Sequence, residues 1–429
     1  MKKIIVNILW LISEKLANAV GTLIITIYVA RYLGPSNMGI INFSLAISTI
    51  IVPLSQLGAD SLIFNRVAKN INSGVALLNA TRYLRLSISI SLVVFTLLAF
   101  YSNGIDKKNF IILLLMMCSC VFLSLDVYRH YFDALLKSKF NSIATQIGVY
   151  SSFILRFILV KIQAGSIFFT IPFIISALIP FIIRSIFYRK SIKQFSSPKN
   201  TRNKFYLKYI FFAGFPLTLS SLSIIFYTRV NQIILGQYTD MYSVGILNAA
   251  ITLAQGWIFF PLAIITSFFA KIIKDNDSIR FKHGISLLLF IVSIISVFVI
   301  LLFYYYSENI INLTYGKEYL PATEYLYLLS ISSFFSVIGT IFYRTIVFSG
   351  GYKYIMIKMI LMAIVNIILN LILIPQYYLY GAVIATLITE ILSATLANIF
   401  FKKAYIIKII IGSLTPLKYF SIRKNDDKN

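Results

Sequence analysis

Apolar runs of about 20 residues recur along the whole chain, and none alternates in polarity with a period of two. In hydrocarbon every backbone N–H and C=O must find a partner inside the protein, so a spanning chain is either helical or a closed barrel. Run length without two-residue alternation selects helices. About twelve such runs fall near 8–31, 40–65, 83–101, 109–128, 142–162, 167–188, 207–236, 243–270, 285–304, 322–347, 354–375 and 381–401. A water-facing surface is out of reach: 12% of residues are charged, against about 25% in a soluble domain, and mean hydropathy is +0.85. The pattern predicts an all-α polytopic membrane protein with about 12 transmembrane helices.

The second half echoes the first. Tyr32, Gly39, Ile40 and Asn42 recur as Tyr238, Gly245, Ile246 and Asn248 at one offset, with apolar runs on both sides. Tyr128-Arg129 recurs as Tyr343-Arg344, and Leu155-Arg156 as Leu369-Asn370, with the drift in offset that a small insertion produces. Two halves on one plan in so apolar a chain predict a transporter of two pseudo-symmetric six-helix bundles around a central cavity. The expected organisation is an N-terminal six-helix lobe over 1–188, a basic cytoplasmic linker over 189–206, a C-terminal six-helix lobe over 207–401, and a basic cytoplasmic tail over 402–429.

Met1-Lys2-Lys3 ahead of an apolar run, with Ala17-Asn18-Ala19 after it, has the outline of a secretion signal. Ser13-Glu14-Lys15 breaks that run, and apolarity resumes through Val29-Ala30, so one uncleaved first helix is expected. The formal charge of +25 reports topology. Of 39 Lys and Arg, about 30 belong to the N-terminus, the loops after even-numbered segments and the tail. Positive charge concentrates in the cytoplasm, which places both termini there. Arg189, Lys190, Lys193, Lys199, Arg202 and Lys204 crowd the linker without an aromatic stacking platform, so no nucleic acid is expected. The short apolar stretch from Tyr405 to Leu414 suits contact with anionic membrane lipids.

Enzyme chemistry is not visible. There is no Gly-x4-Gly-Lys-Ser/Thr loop, and His130 and His283 lie far apart in sequence. Cys118 and Cys120 are two residues apart on a helix and point to nearly opposite faces. No catalytic residue, metal site or cofactor is expected.

Ionisable groups at membrane depth are costly and default to function. Arg156 is central in the fifth run, Arg229 in the seventh and Glu390 in the twelfth; Asp60 lies late in the second, and Lys15 two turns into the first. Each cation needs a carboxylate partner or a wet cavity, and both readings stand. A cationic cavity implies anionic cargo, with phosphate matching the guanidinium fork. Arg184, near the membrane edge, is expected to snorkel, and Asp126 to pair locally with Arg129. Asn18, Thr22 and Thr26 share one helical face, and Thr218, Ser220, Ser221, Ser223, Asn231 and Gln232 mark the matching seventh segment. These are cavity walls or helix–helix contacts. Pro53 and Pro261 occupy comparable places in the two halves and are candidate hinges.

Arg31-Tyr-Leu-Gly-Pro-Ser-Asn-Met-Gly39 resembles the opening signature of the bacterial polysaccharide flippases. These are the O-antigen and capsule repeat-unit translocases of the multidrug/oligosaccharidyl-lipid/polysaccharide exporter superfamily. Asn231-Gln-Ile-Ile-Leu-Gly236 with Tyr242-Ser-Val-Gly245, Tyr315-Gly-Lys-Glu-Tyr319, Asn366-Ile-Ile-Leu-Asn370 through Pro375, and Tyr380-Gly381-Ala382 resemble later family segments in order. The resemblance implies a two-lobed, 12-helix fold in the bacterial inner membrane. The implied cargo is a lipid-linked oligosaccharide on undecaprenyl pyrophosphate, flipped from inner to outer leaflet. It also implies polysaccharide polymerase and chain-length regulator proteins as partners. Lys15, Arg156 and Arg229, with Asn18, Thr22 and Asn231, become candidates for contact with the cargo. Asp is common in the family near Asn231, and its absence here leaves Asp60 and Glu390 as the ion-coupling candidates. The alternative is a cation-coupled multidrug exporter of the related extrusion family, whose usual cationic cargo favours carboxylates where this chain has arginines. A membrane polymerase or ligase needs larger outward loops than the 305–321 segment offers.

Overall fold

The computed structural model describes the backbone of residues 2–135, 137–192, 203–272 and 278–401, and their side chains apart from residues 2–17, 138, 203, 270–271 and 278–280. The expected tail, 402–429, and most of the linker lie outside the described residues. Among the described residues every regular element is a helix. The first half runs α1 (Lys2–Gln56), α2 (Ala59–Lys69), α3 (Ile71–Ala80), α4 (Arg82–Ser102), α5 (Lys107–Leu125), α6 (Tyr128–Ala134), α7 (Ser138–Lys161) and, after a 3-10 turn, α8 (Ile171–Ile192). The remainder runs α9 (Asn203–Tyr238), α10 (Met241–Gly256), α11 (Phe259–Ile272), α12 (Ser278–Thr314), α13 (Thr323–Phe348), α14 (Tyr352–Ala394) and α15 (Leu396–Ile399). The protein is a multi-pass membrane protein: ten stretches among the described residues are long and apolar enough to cross a bilayer.

The two longest of the ten each break into two arms. The stretch Asn18–Gln56 has 39 residues, a length of about 58 Å at the usual helical rise, nearly twice the roughly 30 Å hydrocarbon core. It breaks at Gly34 (φ 73°, ψ 169°). Pro35 explains the position: it bars its predecessor from helical geometry, and glycine alone takes the left-handed φ without penalty. The stretch Tyr352–Ile399 has 48 residues and breaks at Tyr378 (φ 50°, ψ −126°), three residues after Pro375. Its two arms fold back on each other. Asn366 Nδ2 donates to Thr389 Oγ1 at 3.1 Å, Lys358 Nζ to Asn398 Oδ1 at 2.8 Å, and Tyr354 Oη to the Ala397 carbonyl. Partners that diverge in sequence on both sides of Tyr378 define an antiparallel hairpin. Its turn closes on Gly381, where a Cβ would lie 2.2 Å from the Leu373 carbonyl oxygen.

Two expected helices are interrupted. The 40–65 run stops at Leu57 (φ 50°) and Gly58 (φ 65°), and the 243–270 run stops at Trp257-Ile258. Polar residues and glycine mark both breaks, Gln56, Gly58 and Asp60 at the first and Gln255-Gly256 at the second, but apolar residues resume at once beyond each of them.

The chain forms two compact units, Met1–Gly236 with Asp240–Gly245, and Gln237–Thr239 with Ile246–Asn429. The first buries a cluster that includes Ile63, Leu77, Leu78, Tyr131 and Ile210. The second buries Ile285, Leu288, Val292, Ile341 and Phe342. Within the first unit, the two segments of the sequence echo meet. A Cβ on Gly39 would fall 1.7 Å from the Met241 carbonyl oxygen, and one on Gly245 would fall 2.0 Å from the Pro35 carbonyl oxygen. Residues 35 and 39 are related to 241 and 245 by a single offset, so the crossing of α1 with the first turns of α10 is reciprocal, as in a two-fold contact. Helix α9 is seated by a similar approach: a Cβ on Gly214 would lie 1.9 Å from the Leu57 carbonyl oxygen, at the α1–α2 break.

Candidate functional site

Arg156 and Arg229 are both half-buried, on α7 and α9. The Arg156 guanidinium lies 4.3 Å from the centroid of the Phe173 ring on α8, a cation–π contact that leaves its N–H donors available. Among the described residues there are two ion pairs, Arg184–Asp126 and Arg129–Asp133, and neither includes Arg156 or Arg229. No hydrogen bond joins either guanidinium to another described side chain. Both arginines therefore keep membrane-depth donors that could meet an anion.

Lys15 lies in α1, with its side chain outside the described residues. Asn18 is half-buried with its Oδ1 buried and unpaired, while Thr22, one turn on, is exposed. Helix α1 meets α7 nearby, where Tyr28 stacks on Phe157 at 5.7 Å and a Cβ on Gly21 would lie 2.9 Å from Phe153. The seventh-segment candidate, Asn231, is buried in α9, and its Oδ1 accepts the Gln232 backbone N–H at 2.8 Å. Among the described residues no hydrogen bond or ring contact gathers Arg156, Arg229, Asn18 and Thr22 into one cluster.

Two expectations are corrected. Arg184 does not snorkel: its side chain is 4% exposed and its guanidinium pairs with Asp126. It also donates to the Asn141 carbonyl at 3.1 Å and to Thr145 Oγ1. Asp126 therefore does not pair with Arg129, which instead reaches Asp133 at 3.8 Å on the surface of α6. The cause is the chain path. Asp126 caps the C-terminus of α5, where the backbone leaves the helix (φ −80°, ψ 56°), and that turn aims its carboxylate at α8 instead of along α6.

Two buried cations were missed because both lie near segment ends and count as loop charges. Arg85 is 1% exposed; it donates to Thr81 Oγ1, one turn earlier, and to the Leu78 carbonyl at 3.3 Å. Lys358 is 6% exposed in the α14 hairpin, with Asn398 as its acceptor. Glu390 of the same hairpin is within electrostatic reach of Lys358. The signal available for Lys358 was its place inside the 354–375 run itself.

Asp60 lies in the first turn of α2, within electrostatic reach of His130 on α6. Pro53 sits in α1 with its carbonyl accepting the Leu57 N–H at 3.0 Å, four residues before the Leu57–Gly58 break. Pro261 is buried in the first turn of α11, just after the Trp257–Ile258 break. Each candidate hinge thus adjoins an interruption in its half of the chain.

Comparison with known proteins places this architecture. A family described as "Polysaccharide biosynthesis protein" matches residues 4–269. The chain is 22% identical to the capsular polysaccharide biosynthesis protein CapF of Staphylococcus aureus over 405 residues, 93% of this chain and 99% of that one. Among solved structures it resembles the lipid II flippase MurJ in an inward closed conformation, with a TM-score of 0.73, 21% identity, and 97% and 93% of the two chains covered. It also resembles an inward-facing multidrug resistance MATE family transporter, with a TM-score of 0.67, 15% identity, and 94% and 96% covered. These similarities give the fold as all-α and two-lobed.

Proposed function

Because the chain belongs to the polysaccharide biosynthesis protein family, we propose that it carries a lipid-linked oligosaccharide across the bacterial inner membrane. The cargo is a repeat unit on undecaprenyl pyrophosphate, and it moves from the inner to the outer leaflet by alternating access. The observation that carries this reading is the pair of half-buried arginines, Arg156 and Arg229, that make no ion pair among the described residues. A guanidinium left unpaired at membrane depth is expensive, and a pyrophosphate offers it the fork of oxygens it lacks. Relationship to a capsule biosynthesis protein supports a saccharide cargo.

Twelve crossings follow when the two longest stretches, Asn18–Gln56 and Tyr352–Ile399, are each counted as two arms, and an even number keeps both termini in the cytoplasm, where the basic segments belong. In this topology the basic segment 189–206 links the two lobes on the cytoplasmic side. Lys15, Asn18, Thr22 and Asn231 would share the cargo path with the arginines. Asp60 and Glu390 would take up the coupling ion, and Pro53 and Pro261 would flex beside the helix interruptions.

The test is surface glycan in a strain that lacks its own copy of this protein. Arg156→Ala and Arg229→Ala should each abolish surface glycan, and the lysine variants should restore part of it, since an ammonium keeps the charge and loses the fork. Normal glycan from both alanine variants, at normal protein level, removes the arginines from the cargo path. Glycan independent of the protein, together with cation-dependent drug efflux, would assign the chain to multidrug export instead.

A further inference from the structure

A second basic feature lies outside the proposed cargo path, at the end of unit 1 where α6, α7 and α8 come together. It is a groove of about 560 Å³ with Lys137, Lys139 and Lys190 at its rim and no carboxylate among its described lining residues. Its floor is aromatic. Phe132 and Phe140 have ring centroids 4.8 Å apart, Phe140 and Phe187 4.7 Å, and the Lys190 ammonium sits 5.6 Å from the Phe187 ring. The rim is held in place: the Lys137 N–H donates to the Phe132 carbonyl at 2.9 Å, and Ser191 Oγ is bonded to Tyr131 Oη at 2.9 Å. The nearby acid, Asp133, is engaged by Arg129 and Asn141. The N-terminus of α7, a helix of 24 residues, opens at this rim without a side-chain cap, and its helix dipole adds to the positive potential.

The groove also runs into an apolar stripe. Ile143 lines it, and Ile147, Tyr150 and Ile154 follow on the same face of α7 at spacings of three and four, all exposed. Three ammonium groups over an aromatic floor fit a phosphate. A long exposed apolar stripe leading from that floor fits a hydrocarbon chain. One molecule of the surrounding bilayer has both parts.

We infer that this groove binds one anionic phospholipid, with its phosphate among Lys137, Lys139 and Lys190 and an acyl chain along the Ile143–Ile154 face of α7. The assignment to the cytoplasmic leaflet rests on the topology proposed above; the binding chemistry does not. Lysine suits the task because a phosphodiester needs point charges rather than a planar fork. Each lysine near an anionic surface contributes about fivefold in affinity, so three contribute on the order of a hundredfold.

Native mass spectrometry of the full chain in detergent, titrated with phosphatidylglycerol, tests this. The wild type should retain one more phosphatidylglycerol than the Lys137→Gln/Lys139→Gln/Lys190→Gln variant, with a fall in affinity of at least about tenfold. The corresponding triple arginine variant should retain it, and phosphatidylcholine should bind the wild type and the glutamine variant alike. The three lysines are exposed, so the variant should elute and melt as the wild type does. Equal retention of phosphatidylglycerol by the wild type and the glutamine variant overturns the inference. Preference for undecaprenyl pyrophosphate over phosphatidylglycerol also overturns it and assigns the groove to the cargo. Orientation is read separately. In a Cys118→Ser/Cys120→Ser background, Lys190→Cys should react with an impermeant thiol reagent only in inside-out vesicles. Labelling from the other face would refute the topology and leave the lipid count untouched.

Discussion

The reciprocal glycine crossing gives the sharpest quantitative expectation. A carbon and a carbonyl oxygen in contact across a helix crossing normally stay about 3.3–3.6 Å apart. A Cβ on Gly39 would stand 1.7 Å from the Met241 oxygen and 2.7 Å from its carbonyl carbon. The shortfall is about 1.6 Å or more, and the obstacle is backbone, which has no rotamer to give. Gly39→Ala must therefore push α1 and α10 apart. Overpacking of this kind costs about 1–3 kcal/mol, occasionally more, and the upper part of that range is expected because the neighbours are backbone on both sides. Gly245→Ala should cost about the same, since its Cβ would meet the Pro35 oxygen at 2.0 Å. The two sites share one crossing, so the penalties should not add: once the helices have parted, the second methyl meets less resistance. Gly339→Ala is the control. It lies inside α13 with no atom within 4 Å of the added carbon, and a helix gains up to about 1 kcal/mol from that exchange. Thermal unfolding of purified full-length variants in detergent gives the ranking. Gly339→Ala should melt at or above the wild type, the two echo variants well below it, and their double variant less than the sum below. An alanine at 39 that melts with the control would refute the close approach, and with it the structural meaning of the echo.

Further expectations concern the buried charges and the α14 turn. Arg184→Leu or Asp126→Leu alone should cost about 3–5 kcal/mol, because each leaves its partner buried and uncompensated, whereas the double variant should recover much of the loss; equal loss in all three by thermal unfolding would mean that the pair does not act as a unit. Tyr378→Gly should raise the melting temperature. The tyrosine is 59% exposed and held at φ 50°, ψ −126°, a region where a side chain costs on the order of 1–3 kcal/mol and little packing is lost on its removal. A lower melting temperature would show that its ring makes up for the backbone.

Much of this architecture is legible in the amino-acid sequence because the bilayer imposes a single rule on every spanning segment. Run length and the scarcity of charge suffice to read an all-helical, many-span protein, and the Gly39/Gly245 echo points to two related halves. Legibility ends where a property depends on neighbours distant in sequence. The breaks at Leu57–Gly58 and Trp257–Ile258 are flanked by only a few polar residues, Gln56 and Asp60 at the first and Gln255 at the second, too few to end an apolar run on either side. Arg184 and Asp126 are 58 residues apart, and only the turn after α5 brings them together. Near the end of a run, a cation that snorkels and one that is buried have the same sequence context. The two differ only in whether another helix supplies acceptors, as Asn141 and Thr145 do for Arg184, and Asn398 for Lys358.

That distinction bears directly on which cations can serve a cargo. Arg85, Arg184 and Lys358 are buried, and each spends donors on acceptors of its own unit. A ligand arriving there would have to displace bonds already made and enter a site closed to solvent. Arg156 and Arg229 are half-buried and make no such bonds among the described residues. An anion meeting them would add hydrogen bonds without breaking any. The proposed cargo role therefore rests on Arg156 of α7 and Arg229 of α9, whose guanidinium groups make no ion pair among the described residues.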